Sequence, residues 1–288
     1  MYKIGFYENL DGALTAPEVV IREFPGAEYE KFRGKTAIIW NVHSLYSSWL
    51  TVFNNYQEYI GLGKTEEELK VHPRVYVTRS AAYSSVSETA RVTINLLASA
   101  SAFLVISQRL VKVFSSSNKG AYLKWDELRK TLYSQSVAYQ ICYGLRNFSQ
   151  HYMIPFSGVN LNFKGRAVEG FAPFINRDEI LNCGYDWGKN GAAVALRSQP
   201  ENICLSELLG GYYSCLREIF VSAHEVFEAE VKDARKCVDD VILKFGLPKN
   251  VTPTLFTIEL GCSDFNKMSQ EDFPVGLLNF IDEVVLKV

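Results

Sequence analysis

Apolar residues recur at helical spacing through four long stretches, Lys35–Leu62, Ala81–Phe114, Trp125–Met153 and Leu205–Phe245, and this pattern limits the fold more than any other. The first stretch, KTAIIWNVHSLYSSWLTVFNNYQEYIGL, contains no proline and ends at Gly61 and Gly63. The second is followed by the turn SSSNKG. The third stops before Pro155, which biases its predecessor away from helix. The fourth closes at Gly246 and Pro248.

Elsewhere the texture is short strands and turns. YKIGFYE alternates loosely, NLDG reads as a turn, and VVIREF is a second strand before PGAEY. TEEEL and HPRVYV make an exposed connector. After Pro155, GVNLNF, GFAPFI and EILNCGYDW suggest short strands and WGKNGAAVALRS a short helix. TLFTIEL reads as a late strand and GLLNFIDEVVLKV as a terminal helix or strand. The expected fold is mainly α with a minor β part. A strand-and-turn segment occupies 1–35 and a helical core 36–155. An α+β part covers 156–288, its helix 205–245 packing on the core.

The net charge of -2 conceals an asymmetry, because Lys64 to His151 holds 12 Lys/Arg against 6 Asp/Glu. That local basic excess fits either a polyanion site on one face or charge scattered over helix surfaces. The six cysteines contain no CxxC pair to suggest zinc or a redox dithiol. MYKIGFYENLDG lacks the basic-then-apolar layout of a signal peptide, and LLASASAFLVI at Leu96–Ile106 is short for a bilayer span. The expectation is a cytoplasmic protein with no membrane partner, no cofactor and no metal.

Chemistry concentrates in YGLRNFSQHYMIP, Tyr143 to Pro155. On a helix turning about 100° per residue, with Arg146 at zero, Gln150 falls at about 40°, Tyr143 at about 60°, Asn147 at about 100°, Gln140 at about 120° and His151 at about 140°. Val137, Ile141, Leu145, Phe148 and Tyr152 share the arc from about 180° to about 260°. A solvated face usually mixes Lys and Glu. This one carries neither beyond Lys130, and Arg146 is its single permanent charge. It suits a shielded groove that accepts an anion, and equally a polar face or a hydrogen-bond network between packed helices.

RNFSQH, with Asn directly after Arg and His five positions on, resembles the motif of the HEPN superfamily, and the resemblance spans Ser136–Pro155. It implies a helical bundle that dimerises and cuts RNA without a metal. By the same likeness Arg146 and His151 are the catalytic pair and Asn147 the supporting polar residue; on the same arc Gln150 would position RNA or the His, and Tyr143 would stack or hydrogen-bond nearby as an RNA-binding residue. A protein antitoxin or regulator and a toxin or antiviral defence setting are also implied. A variant motif ending His-x-Tyr is absent, since Tyr152 and Met153 follow His151. The alternative reading is a non-enzymatic adaptor that binds RNA, a nucleotide or a protein through the same groove.

RNA cleavage by its own 2′-hydroxyl needs a group that moves protons near neutrality and a stabiliser of phosphorane charge; His and Arg supply these. Within one helix Arg146 and His151 are offset by about 7.5 Å along the axis and about 140° around it, so one copy converges poorly on one phosphate. Two copies across a two-fold axis would bring two Arg and two His together.

In the second helical stretch Ser84, Glu88, Arg91 and Asn95 form one stripe, either supporting Arg146 and Asn147 or making a solvated face. HEVFE at His224–Glu228 has Glu where a zinc-protease helix needs its second His, and reads as helix surface. GKNGAA lacks the ending of a P-loop. His43, among aromatics, reads as a packing residue.

Overall fold

The computed structural model describes residues 2–10, 13–14, 18–62, 79–114, 119–164, 167–188, 191–248, 251–257 and 269–288. The TEEEL/HPRVYV connector with His72, most of the SSSNKG turn, the NLDG turn tip, the Ser84 side chain and Cys262 lie outside the described residues. Helix dominates: α1 (Gly26–Leu62), α2 (Arg79–Phe114), α3 (Lys119–Gln135), α4 (Val137–His151), α5 (Arg177–Asn182), α6 (Ala192–Arg197), α7 (Leu205–Phe245) and α8 (Val275–Val285). The strands are β1 (Tyr2–Leu10), β2 (Ala13–Leu14), β3 (Glu18–Phe24), β4 (Gly158–Lys164), β5 (Ala167–Asn176), β6 (Asn202–Cys204), β7 (Val251–Thr257) and β8 (Ser269–Asp272).

Two compact units emerge, residues 1–46 with 224–288, and residues 47–223. They cut across the three segments expected from sequence, because α1 and α7 each contribute to both.

In the first unit, β1 pairs antiparallel with β7 from Tyr2 opposite Thr257 to Glu8 opposite Val251. β8 adds outside β7, and β2 and β3 both pair with β1. A sheet that joins the first ten residues to the last forty has no local sequence signal. Phe24, Phe32, Phe245 and Phe273 interlock as its core, with ring separations of 5.5 Å for Phe24–Phe245 and 4.5 Å for Phe32–Phe273. The Tyr29 hydroxyl donates to Glu271 at 2.8 Å, and burial together with that carboxylate pushes its pKa up to about 12. α1 begins at Gly26, nine residues before the expected Lys35. Tyr29, Phe32 and Thr36 continue the buried stripe of Ile39, Val42 and Tyr46 back to Pro25, whose carbonyl accepts from the Tyr29 N–H at 2.9 Å.

His224 departs from the surface role expected for it. It is half-buried, and its Nδ1 lies 2.8 Å from the Tyr46 hydroxyl. Burial raises the pKa of Tyr46 and lowers that of His224, so both effects favour a Tyr46 hydroxyl donating to a neutral imidazole. His43 packs on Phe280 with ring centroids 5.4 Å apart.

In the second unit the stretch read as one helix from Trp125 to Met153 is two helices, α3 and α4, broken at Ser136. Ser136 is extended (φ -97, ψ 109), and its hydroxyl accepts from the Tyr139 N–H at 3.1 Å. An N-cap serine satisfies an otherwise orphaned N–H of the new helix. EILNCGYDW, expected as a strand, instead contributes to α5. The Asn176 side chain caps the N–H groups of Asp178 and Glu179, two acids in the first turn where the helix dipole favours them. The terminal GLLNFIDEVVLKV resolves as helix α8.

α1, α2, α3, α4 and α7 form the helical bundle of this unit, with antiparallel β4–β5–β6 beside it. Trp49 stacks on Phe220 (4.8 Å, 10°), and Tyr56 on Tyr213 (4.0 Å, 9°), fastening α1 to α7. Residues Val86–Phe114 of α2 are long and apolar enough to cross a membrane by length and composition, a longer window than Leu96–Ile106 suggested; half of it is buried inside the protein.

Candidate functional site

α4 carries RNFSQH, and its neighbours fix its orientation. Gly144 allows the closest approach: a Cβ there would lie 2.4 Å from Cβ of Ala192 on α6 and 3.2 Å from the Trp187 ring. Ala138 Cβ comes within 2.9 Å of the Cβ position of Gly211 on α7. Small residues on two sides therefore let α6 and α7 seat against the backbone of α4.

At the C-terminal end Phe148 stacks on Trp187 (5.4 Å, 7°), and Tyr185 meets both rings edge-on. Trp187 Nε1 donates to Ile180 O at 3.3 Å, and the Tyr152 hydroxyl donates to Cys183 O. Gly184, at φ +93, takes the left-handed turn this segment needs. The polar end of the motif helix is thus held by an aromatic clasp from residues 183–187.

The buried face is broader than the expected stripe. Ile141, Leu145 and Phe148 are buried, and so are Tyr139, Cys142 and Gly144, whereas Val137 and Tyr152 are exposed. Tyr139 packs on Tyr212 at 5.3 Å, and Cys142 faces Leu208 O on α7 at 3.9 Å. Burial pushes the Cys142 thiol well up, so it packs as a small hydrophobe. Burial on the Tyr139–Cys142 side places Arg146 at the margin of the buried arc rather than at its open centre.

Arg146 is accordingly half-buried. Its Nη1 donates to Asn147 Oδ1 at 2.7 Å, while its Nε is buried with no hydrogen-bond partner among the described residues. Leaving such a donor unmade costs about 1–3 kcal/mol. Asn147 is half-buried, Gln150 and His151 are exposed, and Tyr143 is 45% exposed. Arg146 and Asn147 are joined directly; His151 sits in the last turn, on the far edge of the same arc.

Glu88 and Arg91 have other partners. Arg91 Nε donates to Glu88 at 2.9 Å, and its Nη2 pairs with Glu58 of α1. The hydrogen bonds from Arg91 hold the Glu88 carboxyl below its usual range. The carbonyl of Asn95 accepts from Asn55 of α1 at 3.3 Å. Among the described residues these contacts tie α2 to α1.

Two residues near the motif were not singled out by the sequence for the roles they play. Gln140, on the polar arc, donates through Nε2 to Tyr133 O (2.9 Å) and Ser134 O (3.1 Å), capping the end of α3. Tyr133, ten residues before Tyr143, meets its ring at 5.8 Å and 80°. Reading Ser136 as an N-cap was the one signal that would have separated α3 from α4 and raised the question of what their junction presents.

No family model matches the chain, and no curated protein or solved structure matches it either.

Proposed function

We propose that this protein is a metal-independent endoribonuclease that cleaves RNA by attack of the 2′-hydroxyl, in a toxin or antiviral defence setting. The observation that carries the reading is Arg146. It is a half-buried guanidinium aligned by Asn147, its Nε without an acceptor among the described residues, on the same polar arc as His151. A phosphate oxygen offers a guanidinium both opposite charge and a hydrogen-bond acceptor.

In the reaction, His151 takes the 2′-hydroxyl proton as the 2′-oxygen bonds to phosphorus. The phosphorus–5′-oxygen bond then breaks, leaving a 2′,3′-cyclic phosphate, and an imidazolium returns a proton to the 5′-oxygen. Arg146 stabilises the charge on the non-bridging oxygens. The offset of about 7.5 Å between the pair along one helix is why the reading requires a homodimer, each copy contributing one Arg and one His. Exposed Met153 and Ile154, just past the His151 end of α4, give apolar area for a second copy.

Purified protein is expected to cut single-stranded RNA in excess EDTA, and His151→Ala to abolish cleavage while staying dimeric. Cleavage that requires a metal, or an undiminished variant, defeats the proposal. RNA binding without cleavage would assign the chain as an adaptor, and toxicity on expression relieved by Arg146→Ala would favour the enzyme.

A further inference from the structure

The junction of α3 and α4 sets two aromatic rings, Tyr133 and Tyr143, against each other. Tyr133 is half-buried and held from three directions. Its carbonyl accepts from Gln140, its ring meets Tyr139 edge-on at 5.4 Å and 82°, and it meets Tyr143 edge-on at 5.8 Å and 80°. Tyr139 continues inward to the buried Tyr212 at 5.3 Å. Four tyrosines thus run from core to surface, and the outermost, Tyr143, is 45% exposed.

Tyr143 precedes Arg146 by three residues and Asn147 by four, so all three are neighbours on the helix surface. A half-buried guanidinium, aligned by Asn147, therefore stands one turn from an exposed aromatic ring that a second, perpendicular ring holds in place. Phosphate beside a planar face is the pattern presented by one nucleotide of an unpaired strand, and base–aromatic stacking is indifferent to base identity. A base inside a duplex has both faces covered and cannot use the ring.

We propose that Tyr143, positioned by Tyr133, is a base-stacking platform that makes the site select unpaired RNA. This rests on the RNA-cleaving reading of Arg146 and His151. Tyr143 touches the base; Tyr133 acts through Tyr143.

The test is binding of a short unpaired RNA, followed by fluorescence anisotropy in the His151→Ala background so that cleavage cannot intrude. Tyr143→Ala is expected to weaken binding by about tenfold, the effect of losing one stacked base, and Tyr143→Phe to retain it. Tyr133→Phe retains affinity and Tyr133→Ala lowers it, with thermal midpoints measured for each variant. Scanning an abasic position along the oligonucleotide should find one site where the parent protein loses affinity and Tyr143→Ala loses no more. Equal affinities for Tyr143→Ala and Tyr143→Phe, or a Tyr143→Ala penalty undiminished at every abasic position, overturn the proposal. Cleavage by the natural sequence without ring dependence sinks the stacking inference alone. Ring-dependent binding without cleavage sinks the nuclease reading alone, and failure of the parent to bind RNA sinks both.

Discussion

Replacing Gly144 by alanine tests the placement of the motif helix directly. The new Cβ would meet Ala192 Cβ at 2.4 Å and Trp187 at 3.2 Å. Ala192 Cβ is fixed to the backbone of α6, so relief requires α6 or α4 to move by an ångström or more. Overpacking costs about 1–3 kcal/mol, and an anchored contact this short belongs at the upper end. Against it, alanine is favoured over glycine inside a helix by about 1 kcal/mol. The net expectation is a loss of about 2 kcal/mol. At a urea slope of about 3 kcal/mol/M the unfolding midpoint should fall by roughly 0.7 M. Circular dichroism in urea reads the shift. The double variant Gly144→Ala/Ala192→Gly returns the space and should recover at least half of the loss, a coupling that only residues in contact show. A neutral or stabilising Gly144→Ala would mean that helix propensity acts alone and that α6 does not sit against α4.

Arg146→Lys should lower RNA cleavage by at least tenfold with little change in unfolding midpoint, because an ammonium keeps the charge but not the planar fork; equal rates would refute the clamp. Ser136→Ala removes the cap of α4 and should cost about 1 kcal/mol in chemical denaturation. His224 is held neutral by burial beside Tyr46, with its pKa below the ordinary 6.5. The unfolded state then binds the extra proton, so stability is fully present above about pH 6.5 and is lost as pH falls through the lower folded value. His224→Phe should flatten the denaturation midpoint between pH 7 and 5; an unchanged slope would locate the titration elsewhere.

Much of the helical part was legible because its periodicity is local. The limits of α2 and α7, the early strands of YKIGFYE and VVIREF, and the helix end near His151 all follow from apolar spacing and from Gly and Pro. Three features were not. The break at Ser136 is invisible to periodicity, since the apolar pattern continues across it and only a side-chain cap marks it. EILNCGYDW looks strand-like until Asn176 is seen to cap its first turn. The stripe of Glu88 and Arg91 shares a face by spacing, but its partner is Glu58 on α1, a choice that packing makes.

That Tyr143, Arg146, Asn147, Gln150 and His151 share one arc of one helix follows from the order of residues alone, because helical geometry depends only on position in the chain. Tertiary structure decided what each became. Packing on α7 buried Tyr139 and Cys142, which set Arg146 at the edge of the core with its Nε unpartnered among the described residues. The α3–α4 junction turned Gln140 into a cap and set Tyr133 against Tyr143. Pairing of the first strand with β7, some 250 residues away, likewise has no local signature: a sheet register records which surfaces must be buried together, and that is a property of the whole chain.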